Sequence, residues 1–215
     1  MSIPDDHARE SCGVVGVYSP GEDVARIAFF GIYALQHRGQ ESAGIATGDG
    51  EHIRLRTAMG LVAQSLHEDD LAQLPGHVAI GHTRYSTTGS SNIANAQPIL
   101  STGPNIELVL GHNGNVINAV ELKKELLELD CVFSSSSDSE IIAHLLSNAP
   151  ATTWEDRISY AMRRLQGAYC LVIMTKDALF AVRDPLGVRP LCIGSLNGGW
   201  VVASETCALD NIGAT

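Results

Sequence analysis

Cys12 is the side chain in this sequence most able to attack an electrophile, and its position sets the chemistry. It follows a polar leader, Met1 to Ser11, and opens the run Cys-Gly-Val-Val-Gly-Val-Tyr ending at Tyr18. A free thiol ionises near ~8.5, so a base must help remove its proton. If residues 1–11 are a propeptide that is removed, Cys12 gains an α-amine with a pKa of roughly 7.7–8.0, a base attached to the nucleophile itself. Loss of Met1 alone would expose Ser2, so this chemistry needs true processing at Ser11–Cys12. Taken alone, the residue also reads as a buried thiol at the start of a strand.

Three further segments supply what a thiol nucleophile would need. Asn113-Gly114 offers an amide and an unhindered backbone N–H for a developing oxyanion, and also has the composition of a hairpin turn. Arg84 can hold a carboxylate through two parallel hydrogen bonds, or form a surface ion pair. Asp138 stands in the first turn of an expected helix, where the dipole favours its anionic form; it could meet a substrate ammonium or merely suit the helix end. His37, His82 and His112 lack the i, i+4 spacing of a helical metal site and read as hydrogen-bonded packing residues, so no metal is expected.

Regular elements must position these groups. Cys12 to Tyr18 reads as a buried strand, and Glu22 to Gln36 as a helix, with Val24, Ile27, Ala28, Ile32 and Leu35 near the 3.6 period. Ser42 to Thr47 and His52 to Thr57 read as strands around Gly48-Asp49-Gly50. Val78 to His82 and Leu108 to His112 read as strands, each followed by a polar loop. Asn118, Ser137 and Thr152 each precede a Glu by three residues, the spacing of a capping box. Ala168 to Met174, Ala178 to Val182, Leu191 to Ile193 and Trp200 to Ala203 read as strands, with a type I turn at Asp184-Pro185-Leu186-Gly187. Four polar segments then stand at element ends: Cys12-Gly13, His82 to Thr87, His112 to Asn115, and Ser134 to Glu140. Strands, then helices, then strands predict an α+β fold of antiparallel sheets with helices outside, in preference to a doubly wound parallel sheet.

Composition bounds the function class. With 45% hydrophobic residues the chain can bury a core, and with 5% aromatics that core must be largely aliphatic. A net charge of −10 and no Lys/Arg run argue against nucleic acid. No apolar run approaches the ~20 residues that span a bilayer, and the leader lacks the basic start and apolar stretch of a signal peptide, so a cytoplasmic location is expected. The five cysteines are widely spaced without a C-x-x-C pair, which disfavours disulfides and zinc ribbons.

CGVVGVY, LQHRGQESAGI, GHTRYSTTG, NAQP, HNGN, SSSDSE, DPLGVRPL and ASETCALD, in this order from Cys12 almost to the last residue, resemble the amidophosphoribosyltransferase family of class II glutamine amidotransferases. LQHRGQE and RYSTTG separate it from the hexosamine-forming relatives. The resemblance implies an N-terminal-nucleophile (Ntn) hydrolase fold, a four-layer αββα sandwich. It implies that residues 12–215 form a glutaminase domain, with Cys12 attacking the side-chain amide of L-glutamine and Asn113 and Gly114 forming the oxyanion hole. Arg84 would bind the α-carboxylate and Asp138 the α-ammonium, Tyr85 and Thr87 would line the pocket, and Arg38 and Gly39 would order the adjoining loop. It further implies that the ammonia serves phosphoribosyl pyrophosphate on a second domain, with no counterpart here. Mg2+, a 4Fe-4S cluster and homo-oligomers are expectations for such a full-length chain, not for these residues. Another class II amidotransferase, or an unprocessed glutamine-binding module with an inert Cys12, are the competing readings.

Overall fold

The computed structural model describes residues 12–85, 92–103 and 106–215. The chain opens with β1 (Gly13–Tyr18), α1 (Val24–Ala34), β2 (Ser42–Gly48) and β3 (Ile53–Met59), then two single-turn helices, α2 (Val62–Ser65) and α3 (Glu68–Leu71), and β4 (Val78–Arg84). After β5 (Ile99–Gly103) and β6 (Ile106–Val116) come three helices, α4 (Ala119–Leu127), α5 (Asp138–Ser147) and α6 (Trp154–Arg164). The chain ends with β7 (Gly167–Met174), β8 (Leu179–Arg183), β9 (Cys192–Leu196), β10 (Gly199–Ala203) and α7 (Thr206–Ile212).

The strands form two sheets, β3-β2-β4-β1-β10-β9 and β5-β6-β7-β8. Every strand pair is antiparallel, which excludes the doubly wound alternative. Alternating residues along β1 explain the layering. Val14 meets Ile80, Val109, Val172 and Val202 in the layer between the sheets. Val15 and Val17 face the other way, against Ala28 and Ile32 of α1 and Leu209 of α7. On the far side Ile142, Leu145 and Leu146 of α5 pack on Leu108, Leu110, Leu171 and Ile173. The result is the αββα sandwich, with three aliphatic layers and few aromatic side chains.

Sequence and structure differ in β4, in β6 and at the three expected capping boxes. Strands β4 and β6 run on past His82 and His112, so that Thr83-Arg84 and Asn113 to Asn115, expected as polar loop, lie inside them. The last capping residue is Thr153, not Thr152; its hydroxyl accepts from Asp156 N at 3.2 Å. The other two boxes do not close as the spacing suggested. Asn118 instead ties α4 to the end of α6, donating to Arg164 O at 2.8 Å and accepting from Gln166 N at 3.0 Å. Ser137 Oγ does accept from Ser139 N at 3.1 Å, but Glu140 turns back to hold Ser134 and Ser135.

Candidate active site

Cys12 stands just before β1, which has β4 on one side and β10 on the other, so its backbone is held in the middle of a sheet. Its φ of +69° is a left-handed value. For a residue with a Cβ such a conformation costs on the order of 1–3 kcal/mol and persists only where surrounding contacts enforce it. Arg38 supplies two of those contacts. Its carbonyl accepts from Cys12 N at 3.2 Å, and its Nε donates to Cys12 O at 2.8 Å. The Arg38 side chain is 1% exposed and is itself ion-paired through Nη1 with Glu205, on the turn between β10 and α7. Burial raises the Glu205 pKa, but hydrogen bonds from Arg38 and His37 outweigh it and hold the carboxylate below its ordinary range.

The Cys12 thiol is buried and directed at Tyr85 O, 3.6 Å away. Burial pushes its pKa up, with the charges of Arg84 and Arg38 pulling the other way. It therefore needs a base. Gly39, next to Arg38, allows this packing: a Cβ there would lie 2.6 Å from Thr83 C and 2.7 Å from Arg84 N.

Arg84 ends β4 with its side chain 4% exposed, and Nη1 lies 3.3 Å from Glu41 Oε2. The pair is internal, so the surface alternative falls away. An incoming carboxylate would have to share the guanidinium with Glu41 or displace it. Asn113 and Gly114 face Cys170 and Tyr169 in the β6–β7 ladder, which removes the hairpin alternative. Alternation puts Asn113 on the face of β6 that carries Val109 and Gly111, turned toward the sheet that begins with Cys12. At Gly114 a Cβ would lie 2.1 Å from Ala168 O, so only glycine fits.

Asp138 is the first residue of α5, where the helix dipole favours its charge. Its Oδ2 accepts from Val116 N at 3.0 Å, and its Oδ1 lies 3.7 Å from His112 Nδ1. His112 Nδ1 also meets Ser139 Oγ at 3.0 Å, and its backbone N–H donates to Gln97 Oε1 at 2.8 Å. His82 Nε2 donates to His112 O at 3.0 Å. Burial drives the His82 pKa down to about 3. It lowers that of His112 too, against the pull of Asp138. Both histidines are therefore neutral struts near pH 7, as their sequence context suggested.

A cavity of about 20 Å³ gathers Cys12, Arg84, Tyr85, Gly114 and Asp138, with Gln97, His112, Ser137 and Ser139 completing its wall. Asn113 lies beside it, off the wall. Thr87 and the leader, residues 1–11, fall outside the described residues. A larger groove of about 580 Å³, lined by Tyr18, Leu179, Ile193 and Trp200 among others, contains none of these groups. The small cavity is the candidate site because it joins the Cys12 thiol to the Arg84 cation, the Asp138 anion and Gly114 of the Asn113-Gly114 pair. Sequence reasoning missed Glu41, Gln97, Ser139 and Glu205 as working parts. Glu41, Gln97 and Glu205 fall in segments carrying the family resemblance, but their types alone gave no signal.

All five cysteines are free thiols. Among the described residues one group of three His, Cys, Asp or Glu side chains, His37, Glu205 and Cys207, has its ligand atoms close enough to share a cation.

The family described as "Glutamine amidotransferase domain" matches residues 82–211. Amidophosphoribosyltransferase from Synechococcus elongatus is 51% identical over 215 aligned residues, covering 97% of this chain and 44% of its own length. The enzyme of that name from Mycobacterium bovis is 48% identical, covering 96% and 41%. The solved glutamine phosphoribosylpyrophosphate amidotransferase from B. subtilis, complexed with ADP and GMP, superposes with a TM-score of 0.88 at 41% identity, over 95% of this chain and 44% of that one. The chain thus spans less than half the length of these relatives.

Proposed function

The chain belongs to the glutamine amidotransferase domain family, and from that premise we propose that it hydrolyses L-glutamine to glutamate and ammonia with Cys12 as an N-terminal nucleophile. The convergence of Cys12, Arg84, Gly114 and Asp138 on one cavity carries this reading. Residues 1–11 are a propeptide and 12–215 the glutaminase domain. The left-handed strain at Cys12 supports cleavage there, since a residue with no preceding peptide bond has no φ to strain.

After cleavage the nitrogen now held by Arg38 O becomes the α-amine. That amine takes the thiol proton as sulfur attacks the glutamine Cδ. The carbonyl oxygen becomes an oxyanion, received by Asn113 and Gly114. The amide nitrogen leaves as ammonia with the proton carried by the amine, giving a thioester. Water then attacks the thioester, with the amine again as base, and releases glutamate and the free thiol. Arg84 grips the α-carboxylate and Asp138 the α-ammonium, while Tyr85 and Thr87 line the pocket and Arg38 and Gly39 hold the backbone. The cavity is only about one water across, so glutamine must displace side chains at its mouth to enter.

In the complete protein the ammonia would attack phosphoribosyl pyrophosphate, giving 5-phosphoribosylamine and pyrophosphate, the opening reaction of purine synthesis. The names of the relatives support this step, and any Mg2+, iron–sulfur cluster or homo-oligomer belongs with that larger chain. Among the described residues no helix is long and apolar enough to cross a membrane. A cytoplasmic site is part of this proposal, and the five free thiols support it.

Intact-mass analysis before and after 6-diazo-5-oxo-norleucine tests the proposal. We expect loss of the first eleven residues and one adduct on Cys12. An unprocessed, unlabelled chain would instead support a glutamine-binding module with an inert thiol.

A further inference from the structure

A cluster away from the cavity wall has the chemistry of a metal site. His37 follows α1, and Glu205 and Cys207 flank the start of α7. Their ligand atoms all lie within 4.8 Å of one another. One carboxylate oxygen is the focus: Glu205 Oε2 is 2.9 Å from His37 Nε2 and accepts from Cys207 Sγ at 3.5 Å. The imidazole and the thiol thus aim their donor atoms at one point. Replacing the two protons with a cation leaves nitrogen, sulfur and oxygen converging there.

We propose that His37, Glu205 and Cys207 bind a divalent cation of the zinc class, with water as fourth ligand. The donor set decides the metal. A thiolate selects against Mg2+ and Ca2+, and imidazole with carboxylate beside it suits tetrahedral zinc. The carboxylate is already oriented, because its other oxygen is held by Arg38 Nη1, the kind of outer hydrogen bond that fixes metal ligands. The Arg38 charge opposes the cation, but it faces Oε1 and leaves Oε2 to the histidine and the thiol. Access exists: Glu205 and Cys207 line an open groove of about 390 Å³ with Arg183, Pro190 and Leu191, and the His37 side chain is 57% exposed. Neither the spacing of the histidines nor that of the cysteines reveals this site, since His37 and Glu205 are 168 positions apart.

Co2+ is the probe, because a tetrahedral thiolate complex gives ligand-field and sulfur-to-cobalt charge-transfer bands. The reduced chain carrying Cys12→Ala, which removes the candidate nucleophile, is titrated with Co2+ and the complex back-titrated with Zn2+. We expect one equivalent bound, with thiolate bands that Zn2+ abolishes. Adding Cys207→Ser should remove the charge-transfer band, and adding His37→Gln, which takes away a direct ligand, should weaken binding by at least a factor on the order of 10–100, the cost of losing even an outer-shell partner. Both side chains are partly exposed, and circular dichroism verifies that the variants are folded. Absence of thiolate bands at millimolar Co2+, or bands that survive Cys207→Ser, overturns the site. The readout does not depend on glutamine, so it stands or falls separately from the hydrolase reading.

Discussion

Arg38 holds both ends of the Cys12 peptide unit, accepting from its nitrogen at 3.2 Å and donating to its carbonyl oxygen at 2.8 Å. Glu205 in turn pairs with the Arg38 guanidinium, so the candidate nucleophile rests on a residue 193 positions later in the chain, with Arg38 between them (205 minus 12). The turn before α7 thereby reaches the Cys12 end of the sheet without lining the cavity.

This geometry predicts what loss of the brace should do. In the processed enzyme, Arg38→Met should lower kcat for glutamine hydrolysis by roughly 10²-fold, since a shift of about 1 Å at the nucleophile costs that much. KM should change little, because Arg38 is not on the cavity wall. Glu205→Gln, which keeps an acceptor for Arg38, should retain most of the rate, whereas Glu205→Leu should resemble Arg38→Met. Equal loss in Gln and Leu variants would show that the carboxylate charge, not positioning, matters.

Arg84→Ala should behave differently. On the proposed reading its guanidinium would meet the substrate carboxylate in ground and transition states alike, so KM should rise on the order of 10–100-fold with kcat at saturation nearly kept. A large fall in kcat at saturating glutamine would assign Arg84 to the reacting atoms instead. Glutamine analogues lacking the α-carboxylate give a second check: they should discriminate the two proteins poorly.

The fold was largely legible because alternation and helical period report which face is buried, and β1, α1, β2 and β7 fall within a few residues of their expected spans. The errors share a cause. Buried polar residues inside strands, such as Thr83, Arg84 and Asn113, look like loop residues when hydrophobicity is the guide, because sequence does not show which polar groups find partners. α7 was missed because it is one short segment behind a polar Ser-Glu-Thr. The site was legible where a residue type states its chemistry, as with Cys12 or Arg84. Glu41, Gln97 and Glu205 act only through the partner the fold brings them, and no local pattern encodes that.

Gly114 should tolerate no side chain. A Cβ would lie 2.1 Å from Ala168 O and 2.7 Å from Tyr169 Cα, both backbone atoms of β7, so the ladder itself must move. Gly114→Ala should abolish hydrolysis and cost roughly 2–4 kcal/mol in urea unfolding. A stable variant with wild-type turnover would mean that β6 does not approach β7 this closely.

Acid should expose the buried histidines. The folded pKa of His82 lies at about 3, below its unfolded value near 6.5, so the unfolded chain binds the proton first as pH falls. Stability is then full above pH ~6.5 and declines below it by about 1.4 kcal/mol per pH unit for that residue. His112 is lowered by burial in the same direction and should add to the slope. Urea midpoints at pH 7.5 and 5.5 should therefore differ, by roughly 1–3 kcal/mol once converted to unfolding free energy. His82→Gln retains a donor for His112 O but cannot titrate, so it should flatten the dependence while leaving stability at pH 7.5 within about 1–2 kcal/mol of the parent. If the slope is unchanged in that variant, His82 takes up its proton in the folded state as readily as in the unfolded one, and its burial is not opposing the charge.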